Sequence, residues 1–116
     1  MSEVNVLFVC WGNICRSPMA AVVAAAMAEQ DGLTGVGFNS AGVSAEEAGH
    51  GIDPRAIATL EAAGYRPGPH SAHKVTAAEV RSADMVIGMQ PIANLRAALT
   101  EPVSGLGAST SALHIK

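Results

Sequence analysis

Basic residues are few: seven Lys and Arg stand against ten Asp and Glu among 116 residues, a net charge of −3. The molecule as a whole has no electropositive field that would collect nucleic acid or an anionic membrane, so any anion site must be local. Long apolar runs are also missing. The longest, such as residues 19–28, are short and alanine-dominated, which excludes a membrane span, and no charged-then-apolar signal segment opens the chain. A cytoplasmic protein is expected. Cysteine is scarce too: Cys10 and Cys15, with four residues between them, cannot form the stapled framework of a secreted mini-protein. Their reason is chemical or incidental. No His/Cys spacing points to a metal site, and no cofactor is expected.

What is present is the composition of a globular chain, 49% apolar and 15% charged, long enough for one buried core. Val4, Val6, Leu7, Phe8 and Val9 form a nearly continuous apolar run with β-branched weight, the pattern of a strand buried on both faces of a parallel sheet. A loop follows from Cys10 to Arg16, carrying Gly12 and Asn13, the residue types that most easily take left-handed backbone angles. Ser17-Pro18 then reads as an N-cap followed by the proline favoured at the first helical position. The alanine-rich stretch 19–29 continues as a helix that stops near Gly32. Further on, 36–40 and 83–89 read as strands and 53–63 and 91–99 as helices. Strand alternating with helix means α/β with a parallel sheet. From residue 100 the composition turns to Ser, Gly, Thr and Ala, and only 112–115 suits a last strand. The division expected is a domain over 1–99 and a tail over 100–116.

In an open α/β sheet, ligands bind beyond the carboxyl ends of the strands, where loops lead into helix N-termini. The segment from Cys10 to Ser17 lies there. Its backbone N–H groups can curl into one concavity at the positive end of the following helix, a cradle for a dianion. Arg16 adds a planar fork that grips two phosphate-like oxygens. Cys10, facing the same groups, has its thiolate stabilised and becomes a nucleophile at neutral pH. Ser17 caps the helix, donates to the thiolate, or does each at a different stage. Cys15 taken alone is open between packing and redox work.

The run Val6 to Ala20, Val-Leu-Phe-Val-Cys-Trp-Gly-Asn-Ile-Cys-Arg-Ser-Pro-Met-Ala, closely resembles the signature of the low-molecular-weight protein tyrosine phosphatases, and the resemblance extends from Val4 to about Leu99. Ser40-Ala41-Gly42, Ile52-Asp53-Pro54-Arg55-Ala56, His70-Ser71-Ala72-His73 and Asp84-Met85-Val86-Ile87-Gly88-Met89 resemble later landmarks of that family in the same order. The resemblance implies an open parallel sheet of about four strands in flavodoxin-like order, with helices on both faces and the family's C-terminal helix missing. It implies hydrolysis of phosphotyrosine in a protein, or of a small aryl phosphate, through a phosphocysteine on Cys10, with inorganic phosphate as product. Arg16 and the amides of the phosphate loop, Trp11, Gly12, Asn13, Ile14 and Cys15, would bind the equatorial oxygens. Ser17 would support the thiolate and ease its departure. Ser40 and His70, with Asn13, would hold the loop rigid, and Cys15 would trap an oxidised Cys10 as a reversible disulfide. His50, His73 and His114 are left as solvated or structural. A monomer is expected.

Three aspartates are all the chain holds, Asp31, Asp53 and Asp84. The family's general acid, an aspartate followed by proline, comes well after the third strand and its helix, and nothing here matches it. Asp53-Pro54 corresponds to a helix-opening pair, and Glu101-Pro102 follows the preceding helix too closely. The general acid is therefore unassigned and a weak activity is expected. Trp11 is expected to wall the pocket mouth. Glu46 and Glu47 occupy the loop on the opposite side, where an aromatic residue is common; Gln90 and Ala21 replace a usual aspartate and glutamate. Two rival functions remain: a non-catalytic oxyanion or phosphopeptide binder, and an arsenate reductase-like enzyme. The thioredoxin-coupled form of the latter uses two further cysteines that this chain does not have.

Overall fold

A computed structural model describes residues 3–89, 92–99 and 111–114. The elements are β1 (Val4–Cys10), α1 (Arg16–Gln30), β2 (Val36–Gly42), α2 (Pro54–Ala62), α3 (Ala77–Ser82), β3 (Met85–Gly88), α4 (Ile92–Ala98) and β4 (Ser111–His114). All strand pairs are parallel and the order across the sheet is β2-β1-β3-β4. The four-stranded parallel sheet expected from the sequence is therefore present. From β1 the chain turns one way to β2 and then crosses to β3 on the other side, so the point where the winding reverses lies between the carboxyl ends of β1 and β3. That crevice is where open α/β sheets bind ligands.

β1 is buried on both faces, as its apolar run requires. Leu7 and Val9 point to a core shared with Ala41, Val43, Val75, Val86, Val80 of α3 and Leu95 of α4. On the other face Phe8 stacks with Phe38, ring centroids 6.3 Å apart. The α1 residues Ala21, Val22 and Ala25 line a cleft with Phe38 on that same side. Helices thus cover both faces. α1 and α2 each end in a Schellman arrangement: Leu33 N–H donates to Ala28 O and Tyr65 N–H to Leu60 O, both at 2.9 Å. Gly32 and Gly64, at φ 70° and 92°, supply the left-handed residue that this ending needs.

Several boundaries differ from the sequence reading. β2 runs two residues past Ser40, and β4 starts one residue before the expected 112. α3 is an element the sequence reading did not assign. Helix α1 starts at Arg16, with Cys15 at the N-cap position and no side-chain cap. Ser17 is not the cap, because its hydroxyl is engaged elsewhere, and Pro18 is the third helical residue, still in the first turn where its missing N–H costs no helical bond. Most of the expected tail, together with Gln90, Pro91, Glu101, Pro102 and Lys116, lies outside the described residues. No helix among the described residues is long and apolar enough to cross a membrane.

Candidate active site

Cys10 ends β1 and is buried. After five intervening residues the chain enters α1, and the tight return requires Asn13 at φ 59°, the one non-glycine residue with positive φ among the described residues. Asparagine tolerates that region better than most side chains. Asn13 is fully buried and uses every polar group it has. Its N–H donates to Cys10 Sγ at 3.3 Å and its Nδ2 to Ser17 Oγ at 2.9 Å. Its Oδ1 accepts the His73 main-chain N–H at 3.1 Å, and its carbonyl oxygen lies 2.6 Å from His70 Nε2. A carbonyl only accepts, so Nε2 is the protonated nitrogen of His70.

The other loop carbonyls are also tied outward. Cys10 O accepts from Val43 N–H (2.8 Å), Trp11 O from Ser44 N–H (2.9 Å) and Ile14 O from Asp53 N–H (2.7 Å). By contrast the N–H groups of Gly12, Ile14, Cys15, Arg16 and Ser17 donate to no other described residue. Amides without a described partner at an uncapped helix start suit an anion cradle. Arg16 is braced beside it: its Nη1 donates to Met89 O at 2.9 Å, and Met89 N–H in turn donates to Val9 O at 2.7 Å. The guanidinium keeps further donors for an oxyanion.

Ser17, fully buried, explains why the cap is absent. Its Oγ lies 3.0 Å from Cys10 Sγ and 3.4 Å from Ala41 O while accepting from Asn13. The hydroxyl has one proton to give, to Ala41 O or to Cys10 Sγ. Cys15 is exposed and its thiol is free.

Gly42 lets the loop sit this close to β2. A Cβ there would be 3.0 Å from Trp11 O and 3.2 Å from both Gly12 C and Asn13 Cβ. Gly42→Ala should therefore push the loop outward, lowering stability by about 1–3 kcal/mol as overpacking does. Thermal unfolding and titration with inorganic phosphate check this, with both the Tm and the affinity expected to fall.

Ser40 pairs in register with Phe8 and lines the α1 cleft with His70 and His73; among the described residues it makes no hydrogen bond to Asn13. The bracing comes instead from the segment 70–73, through His70's ring and the main chain of His73. Of the two readings left open for His73, the structural one holds, since its Nε2 also lies 2.6 Å from Glu79 Oε2. At the mouth, Glu46 is engaged rather than free, accepting Trp11 Nε1–H at 2.9 Å. Glu47 packs beside Gly12 and lies 3.4 Å from His50 Nδ1.

None of the three aspartates is placed to donate a proton here. Asp31 caps the far end of α1. Asp84 joins the amino ends of β1 and β3 through Asn5 N–H, at 2.7 Å. Asp53 adjoins the loop through its main chain, but its side chain caps α2 by accepting Arg55 N–H at 2.8 Å. Hydrogen bonds from the Arg55 side chain and main chain hold its carboxyl below the usual carboxylate range, so at neutral pH it is charged and has no proton to offer.

The family model described as low molecular weight phosphotyrosine protein phosphatase matches residues 5–103. A low molecular weight phosphotyrosine protein phosphatase of Drosophila melanogaster is 36% identical over 85 residues, 73% of this chain and 54% of the relative. One from Schizosaccharomyces pombe is 37% identical over 96 residues, 81% of this chain and 60% of the relative. This chain therefore spans little more than half the length of these two curated relatives. Among solved structures, YfkJ of Bacillus subtilis superposes with a TM-score of 0.83 at 28% identity, over 97% of this chain and 70% of that one.

Proposed function

The chain belongs to the low molecular weight phosphotyrosine protein phosphatase family, and on that premise we propose that it hydrolyses phosphotyrosine and other aryl phosphate monoesters through a phosphocysteine on Cys10. The observation that carries this reading is the thiol of Cys10, bonded by Asn13 N–H and within 3.0 Å of the Ser17 hydroxyl, at the floor of a cradle of free amides. A purely binding protein has no use for a thiol at that position. A reductase that relays electrons through further cysteines has none here beyond Cys15.

In the first step Cys10 Sγ attacks phosphorus, the S–P bond forms and the P–O bond to the aryl group breaks. The loop amides and Arg16 hold the equatorial oxygens as charge redistributes. Once sulfur is bonded to phosphorus it carries no negative charge, and the Ser17 proton can turn to Ala41 O. In the second step water attacks phosphorus, the S–P bond breaks, and the Ser17 proton returns to the departing thiolate. Inorganic phosphate leaves. Cys15 is the candidate to condense with a Cys10 oxidised to sulfenic acid by peroxide, releasing water and leaving a disulfide that thiols reduce.

No aspartate among the described residues is placed to protonate the leaving aryl oxide, and Asp53 is ionised. Positioned general acids contribute about 10²–10⁴-fold, so this 116-residue polypeptide should release nitrophenolate readily and the more basic tyrosine oxide far more slowly. Rapid-quench labelling tests both statements: phosphate appears on Cys10, and the rate of its appearance falls steeply as the leaving group becomes more basic. Absence of any label from any aryl phosphate would overturn the phosphatase reading in favour of the binder. A flat dependence on the leaving group, with an acid limb in the pH profile, would show a proton donor at work.

A further inference from the structure

Trp11 is the only tryptophan in the chain. It stands directly after Cys10 with 46% of its surface exposed, so packing alone fixes the indole weakly. What fixes it is Glu46, whose Oε2 accepts Nε1–H at 2.9 Å, the length of a charge-assisted bond. Glu46 is itself held. Its N–H donates to Ser44 Oγ at 3.0 Å, and Ser44 N–H donates to Trp11 O at 2.9 Å, which closes a ring of bonds from the Trp11 backbone to its own side chain. The following turn is locked by Ala48 N–H to Ala45 O (3.0 Å), Gly49 N–H to Ala72 O (2.8 Å) and Ala72 N–H to His50 O (2.8 Å). The carboxylate therefore sits on a rigid turn.

We propose that Glu46 is a positioning residue: its carboxylate holds the Trp11 indole as an aromatic wall beside the phosphate cradle, and the preference of the site for aryl over alkyl ligands rests on this pair. The proposal takes the cradle to be the ligand site, as the phosphatase reading does. An aryl group carried into the cradle by its phosphoryl group meets the indole offset or edge-on, a contact an alkyl group does not reproduce. An indole already fixed loses no rotamer freedom when the ligand arrives. The amides and Arg16 that grip the oxyanion are not involved, so the effect falls on the organic part of the ligand alone.

The test compares the native chain with Glu46→Ala, Glu46→Gln, Trp11→Ala and the Glu46→Ala/Trp11→Ala pair. Phenylphosphonate, methylphosphonate and inorganic phosphate are the ligands, none of which needs turnover to be read. Glu46→Ala should weaken phenylphosphonate about threefold to tenfold, the scale of one aromatic contact, and leave the other two ligands within about twofold. It should also shift the tryptophan emission and raise its quenching by acrylamide. Glu46→Gln, whose amide oxygen still accepts, should keep both properties, and the double variant should be no weaker than Trp11→Ala. Unchanged emission in Glu46→Ala, or equal weakening of all three ligands, would overturn the proposal. Loss of the phosphatase reading shows separately, as absence of label on Cys10 while the emission and phosphonate measurements still stand.

Discussion

Cys10→Ser is expected to lower aryl phosphate turnover by at least about 10⁴-fold, in the range that loss of a catalytic nucleophile costs in other hydrolases. The affinity for inorganic phosphate should stay within about tenfold of the native value. The two halves of the expectation come from different atoms. On the proposed reading phosphate is held by the amides of Gly12 and residues 14–17 and by Arg16, and neither the φ of 59° at Asn13 nor the outward carbonyl bonds depend on sulfur. Serine is close to isosteric and can keep a hydrogen bond with Ser17 and Asn13. What it cannot supply is a good nucleophile, since a hydroxyl is far harder to ionise than a thiol, and among the described residues no base stands beside it to take its proton. Rapid-quench labelling and phosphate titration of the same preparation check the expectation. Turnover that survives the substitution would show that phosphorus is attacked by something other than Cys10.

How much of this site could be read in the sequence depends on whether side chains or main-chain atoms do the work. The strand, loop and helix from Val4 to Gln30 were legible because each signal is local: a β-branched run, Gly12 and Asn13 for the turn, Arg16 for the anion, alanines for the helix. The start of α1 was misread because Ser17-Pro18 has the form of a cap, and a residue's local preference gives way where its hydroxyl serves a thiol. Helix α3 was missed because it has six residues, too few for periodicity, although Thr76 and Glu79 form a capping box that the sequence does display. The bracing of Asn13 by His73 N–H and of Arg16 by Met89 O was not legible at all, since any residue type offers those atoms. Ser40 enters the bracing by resemblance alone; its register with Phe8 sets it on the face that Cys10 shares, without a hydrogen bond to Asn13 among the described residues. Gly42 stood in plain view, but its reason appears only when β2 is laid beside the loop.

Arg16→Lys is expected to reduce kcat/KM for aryl phosphates by about 10²–10³-fold and Arg16→Ala by about 10³–10⁵-fold, the costs of losing one preorganised donor and a whole transition-state guanidinium. Arg16 does two things at once. One nitrogen, Nη1, is fixed on Met89 O at 2.9 Å, which anchors the side chain to the end of β3, across the crevice from the loop. The remaining N–H groups lie in the plane of the guanidinium as a fork that, on the proposed reading, takes the phosphoryl oxygens. A lysine can reach Met89 O or the phosphoryl oxygens with its single ammonium, but it cannot brace on one while gripping two of the other. Its charge still attracts the dianion, so the affinity for inorganic phosphate should fall less than kcat does. An equatorial oxygen that gains charge only as the P–O bond breaks will miss the second donor at that moment. Steady-state kinetics beside phosphate titration separates the two effects. If Arg16→Lys lost affinity and kcat in equal proportion, the guanidinium would be acting as a charge rather than as a fork, and the brace on Met89 would have no part in the chemistry.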